Sequence, residues 1–202
     1  MKFWNPCSTR FLLVAALCTS AAMLNGCSQE TPWRLENVTG VVSPLVFSLT
    51  DDTGREVTAD TYRGKIVMLY FGYTHCPDVC PTTLADLSQA VSKLGSVASK
   101  VRILFVTVDP KRDTSHLLKS YTQAFGPEFI GLRTNDPELR RLTKRYRVTY
   151  SLGKPDARGE YEVTHSSAVF IFDGKGKARL LAQSTDSATS ISHDLQQLID
   201  GA

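Results

Sequence analysis

The sequence predicts an α/β fold with a mixed central sheet. Two continuous apolar runs, residues 65–73 and 101–108, have the length of buried strands. The segment between them carries apolar residues at helical spacing, and a third apolar run, residues 168–172, comes after further helical segments. Buried strands that alternate with helices are typical of the α/β class.

Turn residues and apolar spacing define the elements of the first half of the chain. The turn sequence Asp51-Asp-Thr-Gly54 separates two short strands, and the apolar positions Leu84, Leu87 and Val91 follow helical spacing. Asp113 or Thr114 is the expected N-cap of the second helix. The predicted order is a hairpin over 45–58, a strand over 65–73, a helix over 82–100, a strand over 101–108 and a helix from 115 to about 125.

The second half is predicted in the same way. Asn135-Asp-Pro137 is a helix start with proline in the first turn, and that helix runs to about Tyr146. The apolar run 168–172, the turn 173–176 and residues 177–182 predict a second hairpin. Ile191, Leu195 and Leu198 mark a closing amphipathic helix.

Strand, helix, strand, helix, hairpin and terminal helix is the order of the thioredoxin fold. We therefore expect a thioredoxin-like fold with an extra N-terminal hairpin and one inserted helix. That fold keeps its chemistry where the first buried strand ends and the first helix begins. In this sequence the position is occupied by Cys76-Pro-Asp-Val-Cys80-Pro81.

Residues 1–26 have the features of an export signal. They contain Lys2 and Arg10 and no acidic residue, followed by the apolar stretch Phe11–Leu24. Leu24-Asn-Gly-Cys27 is similar to the bacterial lipobox, in which cleavage precedes a cysteine that is then acylated. We expect lipid attachment at Cys27, in the bacterial cell envelope, with the domain in the periplasm. A plain signal peptide and an uncleaved anchor remain open, although the apolar stretch is shorter than the roughly 20 residues that span a bilayer.

These features divide the chain into a lipoprotein signal peptide at 1–26, a tether at 27–43 and one domain at 44–202. Removal of the signal leaves 176 residues (202 − 26), which suffice for a single core. The formal net charge falls from +3 to +1 because Lys2 and Arg10 are removed. A nearly neutral chain without a basic block argues against a nucleic-acid partner.

Only two of the five cysteines belong to the predicted domain, since Cys7 and Cys18 lie in the signal and Cys27 is the lipid site. An exported protein with two thiols four residues apart uses them for chemistry rather than for structural disulfides. Cys76 and Cys80 precede prolines, which predicts an irregular turn with the regular helix starting at Pro81. A helix N-terminus lowers thiol pKa values, and two such thiolates can form a disulfide or bind one soft metal ion.

A third ligand is expected from histidine. In thioredoxin-like proteins the residue before the third core strand faces the active cysteines; Ser167 holds that place, and His165 lies two residues earlier in a loop. Two thiolates and an imidazole suit copper, either Cu(I) or Cu(II), whereas structural zinc takes a fourth protein ligand. The residues not expected to bind metal are His75, which points to the opposite face, the surface residues His116 and His193, and the buried Met68.

Three segments resemble the SCO/SenC family of copper-binding proteins: Phe71-Gly-Tyr-Thr-His-Cys-Pro-Asp-Val-Cys-Pro81, Val106-Thr-Val-Asp-Pro-Lys-Arg-Asp-Thr114 and His165-Ser166. The resemblance implies a membrane-anchored thioredoxin-like protein that binds copper through Cys76, Cys80 and His165. It also implies a partner, the copper-bearing subunit of cytochrome c oxidase or another copper protein. Family members assist assembly of the oxidase's binuclear copper centre as copper donors, thiol reductants or both.

Two positions near these motifs bear on the site. The family commonly has an aspartate directly before the histidine, where this chain has Thr164. If that carboxylate orients the imidazole, metal affinity here is weaker or the ring is held differently. Asp109 matches the family loop, and we interpret it as a loop carboxylate that holds local turns rather than as a catalytic group.

Two functions follow from the sequence. The first is a copper metallochaperone, a monomer that is not an enzyme. The alternative is a thiol-disulfide oxidoreductase, in which Cys76 attacks a disulfide of the target and Cys80 resolves the mixed disulfide. A peroxiredoxin-type peroxidase ranks below both, because its attacking cysteine follows a proline and a threonine at fixed spacing and residues 71–76 supply only Thr74.

Overall fold

A mixed β-sheet of eight strands organises the part of the chain that the computed structural model describes, which is Met1 and residues 32–201. The strands are β1 Glu36–Asn37, β2 Ser48–Asp51, β3 Glu56–Thr58, β4 Ile66–Gly72, β5 Val101–Thr107, β6 Phe129–Arg133, β7 Tyr150–Leu152, β8 Val163–His165, β9 Val169–Phe172 and β10 Ala178–Ala182. Their order in the large sheet is β1-β10-β9-β4-β5-β6-β2-β3, while β7 and β8 pair as a separate ribbon.

The same described residues contain four α-helices: α1 Val79–Ser92, α2 Ser115–Gln123, α3 Asp136–Arg145 and α4 Ala188–Asp200. The last three begin at side-chain caps, because the oxygens of Thr114, Asn135 and Ser187 accept hydrogen bonds from the backbone N–H groups of Leu117, Glu138 and Ser190. Short 3-10 segments at Ala59–Tyr62 and Gly95–Lys100 connect neighbouring elements.

The sheet has the thioredoxin-like arrangement. The central strand β4 is parallel to β5 and antiparallel to β9, and β10 returns antiparallel beside β9. Helices α1 and α4 pack together, and α4 also contacts β4. The predicted α/β fold with a mixed sheet, an N-terminal hairpin (β2 and β3) and an inserted helix is therefore confirmed.

The core lies on both faces of β4, whose seven residues are all buried. The largest fully buried side chains of the core include Tyr70 and Phe71 of β4, Phe105 of β5 and Phe172 of β9. Removing each such side chain from water contributes about 1.5–3 kcal/mol. The strand that ends at the cysteine motif is thus buried along its whole length.

Helix α1 begins earlier than predicted. It starts at Val79 with Asp78 as N-cap residue, so Cys80 lies in its first turn, and the expected start at Pro81 is wrong. Proline is tolerated there because the first N–H groups of a helix have no partner inside it. The first bond of the i to i−4 type runs from the N–H of Thr82 to the carbonyl of Asp78, at 3.2 Å. The helix also ends sooner, at Ser92.

Four of the described strands, β1, β6, β7 and β8, were not predicted. β6 is a five-residue strand between loops, and β7 and β8 have three residues each. His165 was expected in a loop, but it is the last residue of β8 and is paired with Tyr150. Strands this short are stabilised by their partners rather than by a pattern of their own.

Residues 33–43, which the sequence assigns to the tether, lie in the unit Trp33–Ala202. Leu35 and Val38 are buried, and β1 pairs with β10. The backbone N–H groups of Arg34 and Leu35 donate to the buried carboxylate of Asp194, at 2.9 and 2.8 Å. The predicted signal peptide at 1–26 and the lipid site Cys27 lie outside the described residues, apart from Met1. Within the described part of the chain, no helix combines the length and apolar character required to cross a membrane.

Candidate metal centre

Three side chains from three different elements meet at one end of β4. Cys76 lies in the loop after that strand, Cys80 in the first turn of α1 and His165 at the end of β8. Each offers one ligand atom, and these atoms all lie within 4.8 Å of one another. Cys80 is fully buried, whereas Cys76 and His165 are half-buried. The structure thus brings together the three residues that the sequence singled out.

The local backbone holds the two sulfurs close. The N–H of Cys76 donates to the carbonyl of Tyr73 at 3.3 Å, and the N–H of Cys80 donates to the Cys76 sulfur at 3.4 Å. Gly72 leaves room for the Cys80 sulfur, because a Cβ at position 72 would lie only 2.9 Å from it. Both cysteines are free thiols.

The backbone carbonyl of Ser166 orients the imidazole of His165. It accepts a hydrogen bond from Nδ1 at 2.9 Å, which leaves Nε2 as the acceptor nitrogen, and the Cys80 sulfur lies 3.1 Å from Nε2. A metal-binding histidine commonly donates its other N–H to such a carbonyl. The side chain of Thr164 is exposed, so the orienting group here is not the residue before the histidine.

Burial keeps this histidine neutral. It lowers the pKa of His165 below the ordinary value, against the opposing effect of the Ser166 carbonyl. Two aromatic rings, those of Tyr70 and Tyr73, stand edge-on to the imidazole with centroids at 6.1 and 5.9 Å. The neutral ring with a free Nε2 is the form that binds metal ions.

The two thiols differ in acidity. Burial alone would raise the pKa of Cys76, but hydrogen bonds from the backbone N–H groups of Asp78 and Cys80 outweigh it and leave this pKa lowered. Burial raises the pKa of Cys80 to about 12, despite a hydrogen bond from the backbone of Tyr73. The half-buried Cys76 is therefore the more nucleophilic sulfur at neutral pH.

The loop at 109–113 connects the site to the segment before β8. The buried carboxylate of Asp109 pairs with Arg112 and accepts a hydrogen bond from the Tyr161 hydroxyl at 2.7 Å. The guanidinium of Arg112 lies over the Tyr161 ring, 3.7 Å from its centroid. Asp109 therefore holds more than local turns, since it also fixes a residue that precedes the strand bearing His165.

Asp113 has a role that the sequence did not reveal. Thr114, not Asp113, caps α2. The fully buried carboxylate of Asp113 instead accepts hydrogen bonds from the Thr74 N–H at 3.1 Å and from the Thr74 hydroxyl at 2.6 Å. Thr74 lies two residues before Cys76, so Asp113 fixes the start of the cysteine loop.

The other residues considered as ligands lie elsewhere. His75 is 42% exposed and its Nδ1 is 3.6 Å from the Asp113 carboxylate. His116 is exposed, as expected. His193 is not simply solvated, because it is half-buried and its Nδ1 lies 2.8 Å from the carboxylate of Asp194. Met68 is completely buried in β4.

Two sulfurs and one imidazole nitrogen form a soft donor set. Thiolates favour Cu(I), zinc and iron–sulfur clusters, and imidazole binds copper and zinc. Three converging ligands fit an ion that needs no fourth protein ligand, and the same pair of sulfurs is close enough for thiol-disulfide chemistry.

Comparison with known proteins gives a consistent result. The family described as SCO1/SenC matches residues 42–200. The mitochondrial SCO2 homolog of Bos taurus is 40% identical over 150 residues, or 70% of this chain and 56% of that protein. The SCO2-like protein of Rickettsia felis is 36% identical over 132 residues, or 65% of this chain and 64% of that protein. The chain thus spans somewhat more than half the length of these relatives.

A solved structure is similar over nearly its whole length. The structure of Bradyrhizobium japonicum ScoI with copper bound matches with a TM-score of 0.70 and 34% sequence identity. The match covers 77% of this chain and 98% of that one.

Proposed function

The chain belongs to the SCO1/SenC family, and from this premise we propose that it is a copper metallochaperone. Cys76, Cys80 and His165 bind the copper that is its cargo. The observation that carries this proposal is the position of His165, whose unprotonated Nε2 lies 3.1 Å from the Cys80 sulfur. Copper-bound ScoI, with the same fold and 34% identity, supports copper as the metal.

The exposure of the ligands supports a transfer role. Cys80 is buried while Cys76 and His165 remain half-buried, so an incoming ligand approaches from their side. A cysteine or histidine of the target replaces these two ligands first, and Cys80 releases the ion last. The target we propose is the binuclear copper site of cytochrome c oxidase, reached from a lipid anchor at Cys27 with the domain in the periplasm.

Copper titration of the reduced protein tests the proposal. We expect a single high-affinity copper ion per chain and a loss of about 10- to 100-fold or more in affinity for His165→Ala, because one of three ligands is removed. His116→Ala, which removes an exposed histidine, is the matched control and keeps the parental affinity. Equal affinity of the His165 variant and its control would refute the copper site.

The unequal acidity of the two thiols favours a second candidate, thiol-disulfide exchange. The Cys76 thiolate attacks a disulfide of the target and releases one target thiolate. The Cys80 thiol, after losing its proton to solvent, attacks the Cys76 sulfur and releases the second. The target is reduced and the Cys76–Cys80 pair is oxidised, to be restored by an external dithiol.

The same variants separate the two functions. Reduction of a disulfide-bonded target peptide requires Cys76 and Cys80 but not His165. Retention of this activity in His165→Ala, with copper affinity lost, is expected if both functions are present. Loss of reduction in His165→Ala, with Cys76 and Cys80 intact, would contradict this assignment of the thiol reaction.

A further inference from the structure

One end of the large sheet collects basic side chains. Strand β4 begins at Ile66 and ends at Gly72, just before the cysteine loop, so Lys65 lies at the end of this strand opposite the candidate metal centre. Because β5 is parallel to β4, with Val101 paired to Ile66, Lys100 lies beside Lys65 at the same end.

The turn between β9 and β10 closes this end of the sheet. Strand β9 is antiparallel to β4, with Phe172 paired to Val67, and the N–H of Gly64 donates to the carbonyl of Gly174 at 2.9 Å. The lysines of the turn therefore join those at the starts of β4 and β5. The basic residues that lie here, which we call the basic end, are Arg63, Lys65, Lys100, Arg102, Lys175 and Lys177.

Most of these charges have no carboxylate partner. Two carboxylates at this end are already paired, Asp60 with Arg63 at 2.9 Å and Asp173 with Arg179 of β10 at 3.4 Å. Within the described residues, the members of the basic end that form no ion pair with a carboxylate are Lys65, Lys100, Arg102, Lys175 and Lys177.

Two of these cations share one neutral acceptor. Nζ of Lys65 and Nη1 of Arg102 both donate to the carbonyl of Ser99, at 2.9 and 3.1 Å. Like charges this close repel each other, and a nearby negative charge relieves the repulsion. The other three lysines of the basic end are exposed, so a negatively charged surface can contact them together.

The opposite end, which bears the candidate metal centre, has a mixed charge. Its exposed lysines are Lys111, in the loop after β5, and Lys154, on the ribbon that bears His165. Exposed acidic residues accompany them: Asp78, Asp156, Glu160 and Glu162. Since the whole chain has a formal net charge of only +3, the excess of positive charge is local to the basic end.

The chain enters the domain beside the basic end. The guanidinium of Arg179, which pairs with Asp173, lies 5.7 Å from the centroid of the Trp33 ring. The predicted lipid site Cys27 precedes Trp33 by six residues in the sequence, a distance of at most about 22 Å even for a fully extended chain. A lipid on Cys27 would therefore keep the basic end close to the bilayer.

We propose that the basic end is a membrane-docking surface that binds the headgroups of anionic phospholipids. The same charges would attract an acidic protein, but the lipid anchor brings only the bilayer to this end. The seven residues of β4 then separate the bilayer from the candidate metal centre by roughly 20 Å, which leaves that centre open to a partner. This inference rests on the anchor included in the proposed function, whereas copper binding is not needed for it.

Lysine acetylation of the full chain in vesicles tests the proposal. The chain is purified from membranes and incorporated into vesicles of phosphatidylcholine, alone or mixed with phosphatidylglycerol, and acetylation is read by mass spectrometry. We expect the lysines of the basic end to react about fivefold more slowly on the anionic vesicles, since each lysine near such a surface gains roughly this factor. Lys111 and Lys154 should react equally on both. Salt at about 1 M should abolish the difference, because it screens charges beyond about 3 Å.

A matched pair of charge reversals locates the surface. Lys175→Glu/Lys177→Glu should remove the protection of Lys65 and Lys100, because two attractive charges become repulsive. Lys111→Glu/Lys154→Glu makes the same change in net charge at the opposite end and should keep the protection. All four substituted side chains are exposed, so urea unfolding midpoints should match that of the parent.

Equal acetylation of the basic end on both kinds of vesicle overturns the docking surface, and this end is then a solvated surface or a site for an acidic protein. Protection that survives in Lys175→Glu/Lys177→Glu also overturns it. Failure of the chain to incorporate into either kind of vesicle overturns the anchor at Cys27 instead. Sedimentation then decides the docking surface, because an unanchored chain should follow anionic vesicles and not neutral ones. Copper titration of the same samples tests the proposed metal site separately.

Discussion

Adding one methyl group at Gly72 should weaken the proposed copper site without replacing any of its ligand residues. A Cβ at this position would lie 2.7 Å from Cε2 of Phe105 and 2.9 Å from the Cys80 sulfur. Normal contacts between non-bonded atoms begin at about 3.5 Å, so the new methyl is too close to the Phe105 ring by roughly 0.8 Å and to the Cys80 sulfur by roughly 0.6 Å. Phe105 and Cys80 are both completely buried, so neither side chain can move away without disturbing its own neighbours.

The expected magnitudes follow from this crowding. Overpacking of a dense core costs about 1–3 kcal/mol, offset by roughly 0.5–1 kcal/mol because alanine loses less backbone entropy than glycine. The metal is more sensitive, because ligand distances must hold to about 0.2 Å. Displacement of the Cys80 sulfur by about 0.6 Å should therefore weaken copper binding at least about tenfold.

Gly131→Ala is the matched control for this variant. Its Cβ would lie 2.8 Å from Cβ of Leu118, so the crowding is similar, but it falls between β6 and α2, away from the three candidate ligands. Urea unfolding should give comparable losses of stability for the two variants, and Cu(I) competition should separate them. Copper affinities that agree within about twofold would refute the argument that Gly72 makes room for the sulfur.

Two further predictions concern acidity. Iodoacetamide at pH 7 should modify Cys76 well before Cys80 when the reduced protein is kept free of copper by a chelator. The reason is that the pKa of Cys76 is lowered, whereas that of Cys80 is raised to about 12. Equal labelling of the two cysteines in peptide mass spectra would contradict these acidities. Asp51→Ala should lower the free energy of unfolding by about 1–3 kcal/mol at pH 7, because the carboxylate accepts hydrogen bonds from the backbone N–H groups of Thr53 and Arg55. Burial alone would raise the pKa of Asp51, but hydrogen bonds from the Thr53 hydroxyl and from these N–H groups leave it lowered. The deficit should therefore be complete above about pH 5 and shrink below about pH 4. Urea unfolding across this range checks the sign, and a deficit that grows in acid would show it to be wrong.

The cysteine motif was visible in the sequence because it combines two local patterns. A continuous apolar run of strand length ends at the motif, and a helical period begins after it. A continuous apolar run and a helical spacing of apolar residues can both be seen in a short stretch of sequence, so the two elements can be predicted without knowledge of the fold. They located β4 and α1, although the helix begins at Val79 rather than at Pro81 and ends already at Ser92.

The strand that bears His165 could not be predicted in this way. β8 has three residues, and its backbone pairs with β7 rather than with the main sheet. The hydrogen bond of Tyr161 to Asp109 holds the preceding segment to a loop from another part of the chain. Likewise, residues 33–38 were assigned to a polar tether, because the residue that binds them, Asp194, lies near the other end of the sequence and could not be recognised as their partner. Contacts between distant residues leave no periodic signal.

By itself the sequence predicted the fold class, the two cysteines and His165 as their companion, and the family resemblance pointed to the same three residues. The tertiary structure decided how these groups behave: which imidazole nitrogen carries the proton, and which of the two thiols is the more acidic. Each of these depends on burial and on hydrogen bonds between residues far apart in sequence, such as Cys80 and His165, and these exist only once the chain has folded.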